Sequence, residues 1–361
     1  MILSLPFIRI AMIYYKLIFI VCIILVFPFC GLTAQTLNSR ENPGNIPQAK
    51  ISNGLISARA YLPDPDNGYY KSTRFDWSGI IYSLQYKGHE FYGQWFDRID
   101  PDVINWVHQD AYIVSGPCSA LVGPVDEFEI PLGYDEAEAG GTFIKIGVGI
   151  LRKTAERYNR YYPYEILDSG IWSATSGNDS LEFIQELSDP KSGFAYLYRK
   201  SVRLEKDKPS MVIEHCLKNT GTRLIQSSVY NHNFIVLDKQ PPGPDYTITV
   251  PFQIQTVRPP SPGLVEVAGN QIIFKKQLSG EDEAVVMIRG FSDKASDSEI
   301  IIENIKAGAG LRITGDRPLI RELLWSIRTV LAIEPYIAID IQPGKEFRWK
   351  NTIEYYTMPS N

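Results

Sequence analysis

From Ile51 onward the chain places apolar residues at every second position, in short runs broken by turns. In TITVPFQI, Ile248, Val250, Phe252 and Ile254 alternate with polar or small residues, the period of a half-buried strand. FIKIGVGIL (143–151), EAVVMIRGF (283–291) and YIAIDIQPG (336–344) carry the same signal. MVIEHCLKNTGTRLIQSSVYNHNF (211–234) reads as two strands joined at NTGT, the mark of a compact hairpin. Helical periodicity is nearly absent. IRELLWSIRTVL (320–331) comes nearest, and its Ile, Val, Thr and Trp content suits a strand equally well. The longer connections at 62–79, 238–245 and 258–263 are rich in Pro, and loops on a rigid sheet are where binding groups gather. No repeat of fixed period is visible, which argues against a solenoid or a bladed propeller. The pattern predicts an all-β fold, a single large twisted β-sandwich spanning residues 51–361.

Residues 1–34 follow a different rule. Arg9 and Lys16 precede an apolar stretch from Leu17 to Leu32, and LTAQ offers small residues for cleavage after Ala34. This is the pattern of a cleaved secretory signal peptide, short for a spanning helix and interrupted by Pro28. It predicts a secreted or periplasmic protein with no stable membrane insertion after cleavage. Residues 35–50, polar and containing Pro, Gly and Asn, read as a flexible leader. Removing 1–34 takes away Arg9 and Lys16 and no acid, leaving 34 basic side chains against 41 acidic ones and a net charge of −7. With no basic stripe, nucleic acid is excluded as a partner class. Cys118 and Cys216 are then the remaining cysteines, enough for one disulfide at most.

The chemistry-bearing residues are few. The four histidines are His89, His108, His215 and His232, and no two have metal-ligand spacing. His89 belongs to an exposed turn, and His215, in phase with Ile213 and Leu217, reads as a structural core histidine. His232 differs, because Asn231 and Asn233 flank it in an otherwise apolar strand, and buried polar groups need partners. Glu334, in VLAIEPYIAI, is a carboxylate in an apolar strand, where burial would raise its pKa and make it a better base. A salt bridge to Arg321 or Arg328 is the bland alternative. In GPVDEFE (123–129), Asp126, Glu127 and Glu129 read mostly as solvated. TRFDWSG (73–79) gathers Arg74, Asp76 and Trp77, a combination suited either to gripping a sugar or to anchoring a loop. There is no G-x-S-x-G elbow and no phosphate loop. Abundant aromatic side chains with a few carboxylates suggest a neutral polar ligand such as carbohydrate.

Two segments together resemble galactose mutarotase-like proteins, the aldose 1-epimerase group. They are the NTG turn with its strand ending in His232 and Phe234 by way of Asn233, and VLAIEPYIAIDIQPGKEFRWKNTIEYY (330–356). The resemblance implies a single large β-sandwich and anomer interconversion without metal or cofactor. It assigns His232 and Glu334 as the acid and base pair, the imidazole donating and retaking a proton while Glu334 supplies the base. Arg74, with Asp76, Trp77 and Asn231, becomes a candidate sugar contact. The epimerases also carry an earlier His, whose place falls to His108, to Glu127 or to neither. A non-catalytic carbohydrate-binding protein, or a glycan lyase or hydrolase with a second carboxylate, are the alternatives.

Overall fold

The computed structural model describes residues 46–359, so the expected signal peptide and most of the leader lie outside the described residues. The first strand begins at Gln48, so ordered structure starts inside the stretch read as leader. Apart from two short 3-10 turns, the regular elements of the described residues are strands. None of their helices is long and apolar enough to cross a membrane.

Two antiparallel sheets dominate. A ten-stranded sheet runs from the edge strand Ile171–Ser176 through Ser180–Asp189, Phe194–Leu204 and Ser210–Asn219 to Glu346–Thr357, and continues to Val265–Ala268. A six-stranded sheet is ordered Gln255–Thr256, Glu283–Arg289, Arg321–Ile327, Val330–Ile341, Ile225–Ile235 and Gly123–Phe128. Between them packs the largest apolar cluster, in which Leu324, Ile333 and Val286 meet Ile213, Leu311 and Ile353. Each such side chain contributes roughly 1.5–3 kcal/mol on burial. Alternation then turns the other face of the six-stranded sheet outward, where shorter strands and connections cover it.

Two local expectations change. NTGT does not close a hairpin: Ser210–Asn219 pairs with Phe194–Leu204 and Glu346–Thr357, whereas Ile225–Ile235 pairs with Val330–Ile341 and Gly123–Phe128. The turn is an arch from one sheet to the other, held by the Asn219 amide donating to the carbonyls of Arg223 and Ile341. The run 143–151 is likewise two strands, Thr142–Lys145 and Gly149–Arg152. Gly147 reverses the chain at φ 79°, a conformation that disfavours other residues, and a Cβ there would sit 2.8 Å from that of Asp76. The ambiguous 320–331 segment resolves as strand Arg321–Ile327, a turn, and the start of Val330–Ile341.

A charged cluster is sealed inside the protein. Lys200 Nζ lies 2.6 Å from Asp126 Oδ2, 3.2 Å from Asp76 Oδ2 and 2.9 Å from the Ser78 carbonyl. Burial alone would lower the Lys200 pKa, but Asp126 and Asp76 outweigh it and raise it. His215 stacks on Trp349 at 4.5 Å, takes a hydrogen bond with the Tyr198 hydroxyl and lies 3.8 Å from Asp126, so it is the core histidine its phase suggests. Lys200→Met leaves two buried carboxylates without their cation and is expected to cost about 3–5 kcal/mol. Urea unfolding measures this, and a loss within the ~1 kcal/mol typical of exposed pairs would contradict it.

Candidate functional site

The outward face of the six-stranded sheet brings His232 and Glu334 together. Tyr230 is registered with Tyr336 and Asn233 with Ile333, so the same register sets His232 opposite Glu334. Pairing lapses between those points because Pro335, opposite Asn231, has no N–H to give. His232 Nε2 lies 3.3 Å from Glu334 Oε1, and the Tyr336 hydroxyl donates to Glu334 Oε2 at 2.7 Å. Phe234 stacks on the imidazole at 3.8 Å, while Phe75 meets it edge-on. Nδ1 of His232 is buried without a protein partner.

Burial moves the two groups in opposite directions. It raises the Glu334 pKa from 4.5 to about 7, against the lowering effects of the Tyr336 hydrogen bond and of Arg74. For His232, burial followed by the nearby Arg74 charge holds the imidazole well below its ordinary 6.5. At neutral pH the imidazole is therefore uncharged, and a proton shared by the pair resides on the carboxyl side. The resemblance implied an imidazole that donates the proton and a carboxylate that is the base; burial instead favours the neutral imidazole and the protonated carboxyl.

Beneath this pair lies a fixed ionic network. Glu127 has 0% exposure and takes Arg74 Nε at 2.8 Å, Lys145 Nζ at 3.4 Å and Arg160 Nη1 at 3.3 Å, and Tyr230 donates its hydroxyl to the same carboxylate. Burial would raise its pKa, but Arg160, Lys145 and Arg74 overcome that and hold it at about 2. Glu127 is thus a permanent anion. Glu129 accepts from Arg160 and Arg321, and the Arg321 guanidinium lies 3.7 Å over the Tyr336 ring. Arg321 and Arg328 do not pair with Glu334; Arg328 bonds to His108 instead.

Arg74, Arg160 and Tyr161 form one side of the cleft, and Trp95, Trp106 and Trp325 form an aromatic wall on the other. The three indoles pack edge to face, Trp325 lying 5.7 Å from Trp95 and 5.5 Å from Trp106. The cleft holds about 650 Å³ of empty space including its open mouth, within the usual range of roughly 300–1,000 Å³ for small-ligand sites. An apolar ring surface facing charged donors suits a sugar, which has apolar C–H faces and a rim of hydroxyls.

Several sequence candidates lie elsewhere. In TRFDWSG, Arg74 enters the cleft, but Asp76 turns into the Lys200 cluster and accepts from Ser78 and Tyr198. Trp77 packs on Trp172 and gives its indole N–H to the Ser72 carbonyl. Asn231 projects to the opposite sheet face, as alternation requires, and binds Asp126 at 2.9 Å. His108 stands behind Trp106 at the rim, and Glu127 supports the cleft from below. Asp126 and Glu127 are buried and Glu129 partly so, rather than solvated, because each has cations on its own face. His89 is half-buried against Asp238 at 2.7 Å, not exposed. Cys118 and Cys216 are free thiols. Arg160 and Tyr161 lie in a connection that strand periodicity does not mark; the basic-aromatic run RYNRYYPY (157–164) is their signal. Trp325 and Tyr336 are legible only once the outward phase of their strands is known.

No family model matches the chain, and no curated protein matches its sequence. Solved structures do. An Escherichia coli K12 protein proposed as an aldose 1-epimerase aligns over 87% of this chain and 100% of its own, with 10% identity and a TM-score of 0.51. The Slr1438 protein of Synechocystis sp. PCC 6803 aligns over 86% and 96%, with 13% identity and a TM-score of 0.50. A galactose mutarotase related enzyme from Lactobacillus acidophilus aligns over 87% and 99%, at 13% identity and a TM-score of 0.49. The chain has the galactose mutarotase-like fold.

The raised Glu334 pKa has a measurable sign. Its contribution to stability is complete below pH 4.5, the ordinary value, and is lost as pH rises through about 7. Glu334→Gln removes this dependence, so the gap between variant and parent in urea midpoints changes steadily from pH 4.5 to 7. A constant gap across that window would mean that the carboxyl titrates normally.

Proposed function

We propose that the protein is a carbohydrate-active isomerase that interconverts the anomers of an aldose by acid and base ring opening. The observation that supports this most is the contact between His232 and Glu334, set across two central strands at the foot of a sugar-sized cleft. The fold of the aligned structures agrees with it, and so does the aromatic wall.

In this reading neutral His232 takes the proton from the C1 hydroxyl while the protonated Glu334 carboxyl gives its proton to the ring oxygen. The bond between C1 and the ring oxygen breaks as the C1 carbonyl forms, leaving an imidazolium and a carboxylate. Rotation about C1–C2 presents the other carbonyl face. Closure then reverses both transfers, so the pair ends as it began. Proton transfers of this kind contribute typically 100- to 10,000-fold each. The Tyr336 hydroxyl at 2.7 Å orients the carboxyl, and the stack on Phe234 holds the imidazole plane. Hydrolysis through a second carboxylate is less well supported, since neither Glu127 nor Asp76 faces the cleft, and Glu283, the carboxylate that lines it with Glu334, is engaged by the Trp325 indole N–H. The export expected from residues 1–34 belongs to the same proposal, with an extracellular or periplasmic sugar as substrate.

Polarimetry or NMR on freshly dissolved α-anomers tests the activity. His232→Ala and Glu334→Gln are each expected to slow enzymic equilibration by about 100-fold or more. Because the active form carries its proton on Glu334, kcat/KM should fall as pH rises above about 7. A rate that instead climbs through that range would exchange the two roles. Sugar binding with no acceleration in the parent protein would reduce the site to a binding module.

A further inference from the structure

The ionic network around the cleft does not balance. Four cations, Arg74, Lys145, Arg160 and Arg321, share two committed anions, Glu127 and Glu129. His232 adds no charge to offset them, and Glu334 carries at most part of one. Glu283, the other carboxylate lining the cleft, lies toward the opposite wall, where it accepts the Trp325 indole N–H at 2.8 Å. The cleft is therefore polarised across the sheet, with the excess of positive charge on the Arg74 and Arg160 side.

The donor inventory points the same way. A guanidinium has five N–H donors. Arg74 uses three, toward Glu127, Ser119 and Tyr230. Arg160 also uses three, toward Glu127, Tyr230 and Glu129. Each keeps two donors without a protein acceptor, and both side chains line the cleft. The two guanidinium groups converge on the same acceptors, Tyr230 Oη and the Glu127 carboxylate, despite their mutual repulsion. Arg74, at 7% exposure, has little solvent to satisfy its remaining donors. A neutral sugar hydroxyl accepts such donors, but only an anion also compensates the charge.

We propose that the preferred ligand is an aldose carrying an oxyanion, held by the free N–H groups of Arg74 and Arg160 while C1 and the ring oxygen face His232 and Glu334. This rests on the cleft being a sugar site and adds the chemical class of the sugar. A carboxylate, as in a hexuronic acid, and a phosphate ester share the recognising chemistry, so both serve as probes.

Calorimetric titration of the full chain with glucuronate, galacturonate and glucose 6-phosphate, against glucose and galactose, tests the idea. At low salt an anionic sugar is expected to bind about tenfold or more tightly than its neutral parent, in keeping with hydrogen bonds to charged groups. The advantage should shrink as salt is raised. The tighter of the uronate and the phosphate identifies the oxyanion. Arg160→Gln should narrow the difference between acid and parent sugar. Should that variant fail to fold, the salt dependence of the parent protein still decides. Equal affinity for neutral and anionic sugars overturns the proposal and leaves the sugar site standing. Binding of none of the five overturns the sugar site itself.

Discussion

Glu127 draws together segments that share no hydrogen-bonded ladder with one another. It sits on the strand Gly123–Phe128, while Arg74 comes from the connection before Ile80–Tyr86, Lys145 from the end of Thr142–Lys145, and Arg160 from the connection after Gly149–Arg152. A carboxylate with no access to water is costly unless it is paired and hydrogen-bonded. The energy that would be lost on leaving it alone is what fixes these connections over the sheet. Tyr230 completes the arrangement from the adjacent strand, and its stack on Tyr336 at 4.2 Å carries the order to the residue that holds Glu334. The geometry of the His232 and Glu334 pair thus depends on an anion buried beneath it.

The same network sets the electrostatics above it. Burial first, and then the guanidinium charges that stabilise Glu127, oppose a charge on His232. The guanidinium charges favour the ionised form of Glu334 too, yet desolvation outweighs them there. One cation cluster therefore acts with burial on the histidine and against it on the glutamate. That difference leaves the two groups in complementary protonation states near neutral pH, as the proposed acid and base roles require.

Strand alternation made the fold class readable, and a polar triplet inside VYNHNFIVLD together with Glu334 before Pro335 pointed to the central pair. Those signals survive because period and burial are local properties. What alternation cannot convey is which strands become neighbours, so the NTGT turn looks like a hairpin although it crosses between sheets. Asp76 and Arg74 are two residues apart and leave their segment toward different clusters, since the connection carries no fixed period. Asp126 and Glu127 are adjacent, and strand geometry sends them to opposite faces: one to Lys200 within the sandwich, the other to the arginines below the cleft. Their charges suggested solvent because the cations that bury them are distant in sequence.

Pro335 has a mechanical consequence. In a central antiparallel pair every rung resists shear, and a missing rung is a seam. Here the seam falls where His232 faces Glu334, with intact ladder on both sides from Tyr230–Tyr336 and Asn233–Ile333 outward. The seam is closed by a side chain: the Asn233 amide donates to the Asn231 carbonyl, which Pro335 cannot serve, and to the Ile333 carbonyl on the facing strand. The spacing of His232 and Glu334 is thereby set in part by one side-chain amide beside them, where the rest of the sheet relies on its backbone ladder.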